Sequence, residues 1–224
     1  MYILISILTL VSNVYSKDKP SLLITYFKPF DKKEYNASSG VAFQIKRKLS
    51  EIADVKTCEL SVEYDRTEKE FDDCLSSIKT RPDIVLSLGE TTDAEVLWEK
   101  TALNLDDHPA ADESGETRVN WPIVRNGPKY YELSLFKKLK KEIGNNHNDV
   151  RYSQSVNKTD KKIYYFTFVC NHIAYYIADK FNQLDKAPLY GFVHVPSTGA
   201  DHFSRIIQAD ETSTAILETL EKLL

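Results

Sequence analysis

The sequence predicts an α/β protein, a single-domain three-layer α/β/α sandwich with a mainly parallel twisted sheet. Two observations predict this fold. Short apolar runs typical of buried strands alternate with amphipathic segments at helical spacing, and this order favours parallel strands joined by helices. No linker or change of composition divides residues 20–224. At 224 residues with 42% hydrophobic content, the chain can bury one sizeable core.

The elements follow from the spacing of apolar residues. The first part of the chain is predicted to form strand 22–27, helix 41–52, strand 58–62, helix 68–79 and strand 83–89. The second part is predicted to form helix 130–143, strand 164–169, helix 171–181, strand 190–195 and helix 213–224. Residues 89–130 lack clear periodicity, and loops of that length are often functional.

The N-terminal segment predicts secretion. Residues 1–16 carry no charge and include an apolar run at 2–11, which is too short for a membrane span and fits a signal peptide. We therefore expect a signal peptide at 1–16, a mature domain at 17–224 and no stable membrane association. If the segment instead forms a buried strand, the expected location is cytoplasmic. Sequons at Asn36 and Asn157 fit an extracellular route.

The net charge argues against one class of function, and the cysteine count indicates a free thiol. The net charge of −4 gives no electrostatic basis for binding nucleic acid. In an oxidising compartment, the odd count of three cysteines leaves one thiol over. Cys58 and Cys74 could pair, which would leave Cys170 free.

Cys170 and His194 are the candidate reactive pair. Cys170 lies where a predicted strand meets a predicted helix, and the positive end of a helix dipole favours a thiolate there. His194, in an apolar strand, could take the proton of the thiol. Taken singly, each could also be a core residue. Glu99 is the candidate acid that orients the imidazole, although by spacing alone a surface glutamate fits it better. The other histidines have no ligand spacing, so no metal or cofactor is expected.

Seven short stretches of the chain carry a resemblance to a known family. They are Thr-Tyr-Phe-Lys-Pro-Phe at 25–30, Asn36, Pro-Asp-Ile-Val at 82–85, Glu-Lys-Thr-Ala-Leu-Asn at 99–104, Asn-Gly-Pro-Lys-Tyr-Tyr at 126–131, Thr-Phe-Val-Cys-Asn-His at 167–172 and Gly-Phe-Val-His-Val-Pro at 191–196. In this order they resemble the motifs of the pyroglutamyl-peptidase I (pyrrolidone-carboxylate peptidase) family of cysteine peptidases. The Cys-to-His interval also agrees with that family.

The resemblance implies a fold, a reaction and a set of site residues. It implies a phosphorylase/hydrolase-like sandwich and removal of N-terminal pyroglutamate from peptides, in a monomer or a homo-oligomer. Cys170 would be the nucleophile, His194 the general base and then acid, and Glu99 the group that orients His194. The residues implied to bind the substrate are Phe27, Phe30, Asn36, Glu90, Phe168 and Val169.

Three departures from the family pattern surround the nucleophile. Tyr165-Phe166 replaces Ala-Gly, Glu90 replaces a glutamine, and Pro109 replaces an arginine. An ionised Glu90 cannot donate a hydrogen bond as the glutamine does. The alternative is therefore a catalytically impaired family member that acts as a secreted peptide-binding protein. A redox-active thiol protein is disfavoured, because no second cysteine lies near Cys170 in the sequence.

Overall fold

The computed structural model of the protein describes residues 19–143, 151–153, 167–197 and 201–221. Four of the sequence predictions lie outside the described residues. They are the signal peptide at 1–16, the sequon at Asn157, the aromatic pair Tyr165-Phe166 and the strand at 164–166.

A six-stranded sheet in the order β2-β1-β3-β8-β4-β7 forms the centre of the fold. The strands are β1 (Ser21–Phe27), β2 (Asp54–Leu60), β3 (Ile84–Thr91), β4 (Leu97–Glu99), β5 (Thr101–Leu103), β6 (Tyr130–Glu132), β7 (Arg151–Ser153) and β8 (Leu189–Pro196). β2, β1, β3 and β8 are parallel, β4 is antiparallel to β8, and β7 is parallel to β4. β5 and β6 form a separate antiparallel pair.

Five helices lie in the described part of the chain. They are α1 (Ala37–Leu49), α2 (Tyr64–Ser77), α3 (Ser134–Ile143), α4 (Val169–Asn182) and α5 (His202–Glu221). α1 packs against α5 and against β1, β2, β3 and β8, while α2 packs against α4. The core is built from the apolar central strands, including the fully buried Leu23, Leu86 and Val193. The predicted α/β fold with a mainly parallel sheet is confirmed.

Helix boundaries differ from the predictions for local reasons. α1 begins at Ala37, four residues early, because Asn36 caps it by accepting a hydrogen bond from the N–H of Ser38 at 3.0 Å. α5 begins at His202 instead of 213. Its first turns expose Phe203, which hides the amphipathic pattern.

Three further predictions are wrong in their limits. The helix predicted at 130–143 begins only at Ser134, because 130–132 form β6. Val169, predicted as the end of a strand, is the first residue of α4. The stretch 89–130 is not a continuous loop, because it contains β4 and β5, whose three residues each are too few to show periodicity. Glu99 therefore ends a strand of the central sheet.

The cysteines have the arrangement that the sequence allows. Cys58 on β2 and Cys74 on α2 form a disulfide with their Cα atoms 6.3 Å apart, and Cys170 is free. Within the described ranges, no helix has the length and apolar character needed to cross a membrane.

Candidate active site

Cys170 lies in the first turn of α4, two residues after the N-cap residue Phe168. The carbonyl of Phe168 accepts hydrogen bonds from the N–H groups of Asn171 at 2.9 Å and His172 at 3.1 Å. The N–H groups of Val169 and Cys170 precede these bonds and have no acceptor within the helix. The half-buried thiol therefore lies at the N-terminal, positive end of the helix dipole, beside these two N–H groups.

His194 and Glu99 lie on neighbouring strands. Leu97 on β4 is opposite His194 on β8, and Glu99 projects from the same face as Leu97, two residues further along. Long side chains can reach such diagonal neighbours. Nδ1 of His194 lies 2.7 Å from Oε1 of Glu99, and the two side chains are 21% and 13% exposed. The carboxylate can therefore orient the ring in a setting with little water.

Cys170 acts on the same imidazole, since its side chain is one of the groups that raise the pKa of His194. Because Nδ1 faces Glu99, Nε2 is the ring nitrogen left for the thiol. Burial lowers the pKa of His194, but the hydrogen bonds and negative charges of Cys170 and Glu99 outweigh burial and raise that pKa. The structure thus brings the three predicted catalytic side chains together in the order Glu99–His194–Cys170. This order suits a thiolate–imidazolium pair.

Gly89 provides the space in which the thiol lies. It pairs with His194 across β3 and β8. A Cβ atom at Gly89 would lie 3.1 Å from Sγ of Cys170 and 2.9 Å from Cζ of Phe192. The Phe192 ring in turn packs on the imidazole, with 5.0 Å between ring centroids. The absence of a side chain at residue 89 therefore lets the thiol of Cys170, the ring of Phe192 and the imidazole of His194 lie close together at the carboxyl ends of β3 and β8.

Glu90 is charge-paired and almost completely buried. Its side chain is 4% exposed, and Oε1 lies 2.6 Å from Nζ of Lys33. Oε2 accepts a hydrogen bond from the N–H of Ala37 at 2.6 Å, at the start of α1. The Lys33 ammonium also lies 5.0 Å from the centroid of the Phe30 ring. The donors that a glutamate lacks are therefore supplied beside it by Lys33, a residue that none of the sequence motifs indicates.

Asn36 is held entirely by its own chain. It is 1% exposed, and Oδ1 accepts hydrogen bonds from the N–H and the hydroxyl of Ser38 at 3.0 and 2.7 Å. Nδ2 donates to the carbonyl of Lys28 at 3.1 Å. The side chain therefore fixes the start of α1. An amide buried in this way is closed to glycosylation once the protein has folded.

The four predicted apolar wall residues differ in exposure. Phe27 is 2% exposed and Val169 is fully buried. Phe30 and Phe168 are half-buried, and the Phe168 ring packs on His108 with 4.6 Å between centroids. Phe30 and Phe168 are therefore the two rings that a ligand can reach directly. Phe27 and Val169 support the site from the core.

A second histidine, His172, is buried beside the nucleophile and has no role among the residues predicted from the sequence. Nδ1 of His172 lies 2.8 Å from Oδ2 of Asp106, and Nε2 lies 2.9 Å from Oε1 of Glu68. Asp106 is fully buried and lies 3.4 Å from the Arg118 guanidinium. The sequence indicates His172 only as the last residue of the Cys-Asn-His motif at 170–172. It does not indicate that Asp106 or Glu68 lies beside this histidine.

Of the three departures from the family pattern, two are described. Pro109 is exposed, and Glu90 is paired with Lys33. Tyr165-Phe166 lies outside the described residues. Among the side chains that the structure does place, no three His, Cys, Asp or Glu groups are arranged to hold a metal ion.

The model of the pyroglutamyl peptidase family matches residues 20–212, which include all the residues of this site. The chain belongs to the pyroglutamyl peptidase family. It is 32% identical over 179 residues to a pyrrolidone-carboxylate peptidase of Brachyspira hyodysenteriae, covering 78% of this chain and 82% of that protein. It is 28% identical over 201 residues to pyrrolidone-carboxylate peptidase 1 of Ralstonia nicotianae, covering 88% of both chains. The family predicted from the sequence is confirmed.

Solved structures of other pyroglutamyl peptidases share the fold. A mutant pyrrolidone carboxyl peptidase from Pyrococcus furiosus superposes with a TM-score of 0.70 at 21% identity, covering 91% of this chain and 97% of the other. The pyroglutamyl peptidase I of Bacillus amyloliquefaciens gives a TM-score of 0.66 at 20% identity, covering 92% and 93%. At these sequence identities, the structural similarity shows that the fold is shared and nothing more.

Proposed function

We propose that this protein is a cysteine peptidase that removes N-terminal pyroglutamate from peptides. The observation that carries the proposal is the grouping of Glu99, His194 and Cys170 at the carboxyl ends of β3 and β8, where Nδ1 of His194 lies 2.7 Å from Oε1 of Glu99 and Cys170 helps to raise the pKa of His194. Cys170 is the nucleophile, His194 the general base and acid, and Glu99 the residue that orients His194. The similar curated proteins are named pyrrolidone-carboxylate peptidases, which agrees with this reaction.

In the first step, the thiolate of Cys170 attacks the carbonyl carbon of the pyroglutamyl residue. A C–S bond forms, and negative charge develops on the carbonyl oxygen. The N–H groups of Val169 and Cys170, which have no acceptor within α4, are placed to bind that oxygen. The imidazolium of His194 then gives its proton to the leaving amine as the C–N bond breaks.

In the second step, neutral His194 takes a proton from water, and the resulting hydroxide attacks the thioester. The C–S bond breaks, free pyroglutamate leaves, and Cys170 returns to the thiolate paired with imidazolium. Glu99 keeps Nδ1 protonated throughout, so that Nε2 faces the reacting atoms.

The proposed substrate pocket suits an uncharged lactam. A lactam offers one N–H donor and one carbonyl acceptor on a flat apolar ring. Phe30 and Phe168 supply aromatic faces, while Glu90 accepts hydrogen bonds and Lys33 donates them. The predicted binding residues that are buried shape this pocket from behind, and they are Phe27, Asn36 and Val169.

Secretion belongs to the same proposal. It is supported by the uncharged apolar segment at 1–16 and by the Cys58–Cys74 disulfide, which persists in an oxidising compartment. Mass spectrometry of protein secreted by its native host should find an N-terminus after residue 16. An intact Met1 would overturn this part.

The reaction is tested with fluorogenic amides of pyroglutamate, alanine and proline. The wild-type protein should cleave the pyroglutamyl amide alone, and Cys170→Ala should cleave none. Equal activity in both proteins would overturn the assignment of the nucleophile. A wild-type protein that binds pyroglutamyl peptides saturably without cleaving them would instead favour the peptide-binding alternative.

A further inference from the structure

We propose that His172 is a positioning residue for Cys170. Its imidazole contacts the buried carboxylate of Asp106 on one side and the carboxylate of Glu68, on α2, on the other, and we call this arrangement the clamp because it holds the first turn of α4 in place. The inference rests on the proposed role of Cys170 as the nucleophile. His172 follows Cys170 by two residues on the same helical turn, so the two side chains point in different directions from one rigid segment. Any rotation of this turn moves both.

The clamp has one arm on each side of the imidazole. Nδ1 lies 2.8 Å from Oδ2 of Asp106, in the segment that follows β5. Nε2 lies 2.9 Å from Oε1 of Glu68, on α2. His172 is 1% exposed and Asp106 is fully buried, so neither can exchange this partner for water. Nδ1 hydrogen-bonds with Asp106, while Nε2 lies within ion-pair distance of Glu68 without hydrogen-bonding geometry, so the contact with Asp106 is the directional one.

The segment that carries Asp106 is also bonded to the residues on both sides of Cys170. The N–H of Asp107 donates to the carbonyl of Thr167 at 3.1 Å. The Asn171 side chain accepts from the N–H of Leu103 and donates to the carbonyls of Leu103 and Leu105, at 2.8 to 2.9 Å. Residues 103–107 therefore bond to the chain both before and after Cys170. Among these bonds, the one between His172 and Asp106 involves a charged group.

The neighbouring charged groups reinforce the clamp. The guanidinium of Arg118 lies 3.4 Å from Asp106, and it also contacts Asp65 and Glu116 at 2.6 Å. It stacks on Tyr64 at 4.5 Å, and the Tyr64 ring contacts both His172 and Phe168. Without a donor at the position of Nδ1, Asp106 would be left buried with Arg118 as its remaining side-chain partner among the described residues, which favours a shift of the segment.

Two conservative variants separate the arms of the clamp. In His172→Asn, the amide nitrogen replaces Nδ1 and keeps a donor for Asp106. In His172→Gln, the amide nitrogen replaces Nε2 and keeps a donor for Glu68. If the Asp106 arm positions Cys170, the first substitution should preserve the site and the second should not. Both remove the same charge, so each is the matched control of the other.

The test compares three measurements, namely kcat and KM for the pyroglutamyl amide, the rate at which iodoacetamide alkylates Cys170, and Tm. All are made well below the Tm of each variant. His172→Gln should lose about tenfold or more in both kcat and alkylation rate, with KM nearly unchanged, because a small displacement of a reacting atom is costly. His172→Asn should remain within about threefold of wild type in both.

Two results would overturn the proposal. One is wild-type alkylation rates in both folded variants. The other is an equal loss in both variants that follows Tm, as a purely structural role predicts. If His172→Gln does not fold, Asp106→Asn replaces it in the same comparison. Alkylation does not require peptidase activity. A wild-type protein that fails to cleave pyroglutamyl amides would therefore contradict the proposed function, while the alkylation rates would still decide the role of His172.

Discussion

Nδ1 of His194 lies 2.7 Å from Oε1 of Glu99, although 95 positions separate the two residues in the chain. The antiparallel pairing of β4 with β8 creates this contact. Because the carboxylate holds one ring nitrogen, it decides which nitrogen faces Cys170, and it favours the charged ring. The contact therefore links the sheet topology to the chemistry proposed for the thiol.

Glu99→Gln should reduce kcat/KM for the pyroglutamyl amide on the order of 100-fold or more, since an orienting carboxylate also sets the tautomer of its histidine. The pKa of His194 is raised partly by Glu99, so it should fall in the variant. The alkaline limb of the pH profile of kcat/KM should then move to lower pH. Glu132→Gln, at an exposed position on β6, is the matched control. An alkaline limb that does not move would contradict the role of Glu99.

Glu90 should matter for both stability and substrate binding. Glu90→Gln keeps an acceptor for the N–H of Ala37 and loses only the ion pair with the 41%-exposed Lys33, so it should cost about 1 kcal/mol or less. Glu90→Ala removes both contacts and should cost about 1–3 kcal/mol. If Glu90 accepts a hydrogen bond from the lactam, the alanine variant should also raise KM about fivefold. Urea unfolding and steady-state kinetics measure the two effects, and equal KM values in all three proteins would exclude Glu90 from the pocket.

The sequence could predict the sheet and indicate Cys170 and His194 as a candidate pair because both depend on local patterns. The strands at 22–27 and 190–195 are mostly apolar runs, and Cys170 and His194 lie in ordered motifs. Their prediction needed no knowledge of distant contacts. The register of β4 against β8, which joins Glu99 to His194, depends on a three-residue strand that carries no periodic signal.

The partners of the buried charges could not be predicted for the same reason. His172 meets Glu68 and Asp106 only after α2, α4 and the segment after β5 have packed together. Lys33 reaches Glu90 through a turn in which Asp31 and Lys32 adopt positive φ, a conformation that is uncommon for lysine and that the sequence does not predict. Contacts between residues that are distant in the sequence produce no regular spacing of residue types from which they could be predicted.

Removing the disulfide should lower stability without changing the site. Cys58 and Cys74 are 16 residues apart, and closing a loop of that length stabilises a fold by about 3 kcal/mol. The double variant Cys58→Ala/Cys74→Ala should lose that much in urea unfolding, while Cys170 is alkylated at the wild-type rate. Thiol titration of the native oxidised protein should find one thiol. Non-reducing peptide mapping that placed Cys170 in a disulfide would contradict the pairing.

His172 should make stability depend on pH. Burial lowers its pKa, but the hydrogen bonds and charges of Asp106 and Glu68 outweigh burial and raise the pKa from 6.5 to about 8. A raised folded-state pKa stabilises the protein fully below the unfolded value of 6.5, and this contribution is lost as pH rises through about 8. The free energy of unfolding should therefore fall between pH 6.5 and pH 8 in the wild type. His172→Asn, which does not titrate, should show a shallower slope, because only the contribution of His194, whose pKa is also raised, remains. A slope as steep as that of the wild type would assign it to another group.

Gly89→Ala should separate thiol chemistry from general stability. The new methyl group would lie 3.1 Å from Sγ of Cys170 and 2.9 Å from Cζ of Phe192, so both must move. Overpacking of this kind costs about 1–3 kcal/mol. Gly191→Ala is the matched control, because its methyl group would meet Cδ2 of Leu135 at 2.7 Å. Both variants should lose comparable stability in urea unfolding, but only Gly89→Ala should slow alkylation of Cys170, by about tenfold or more. Equal alkylation rates in the two variants would show that the thiol does not depend on the space above Gly89.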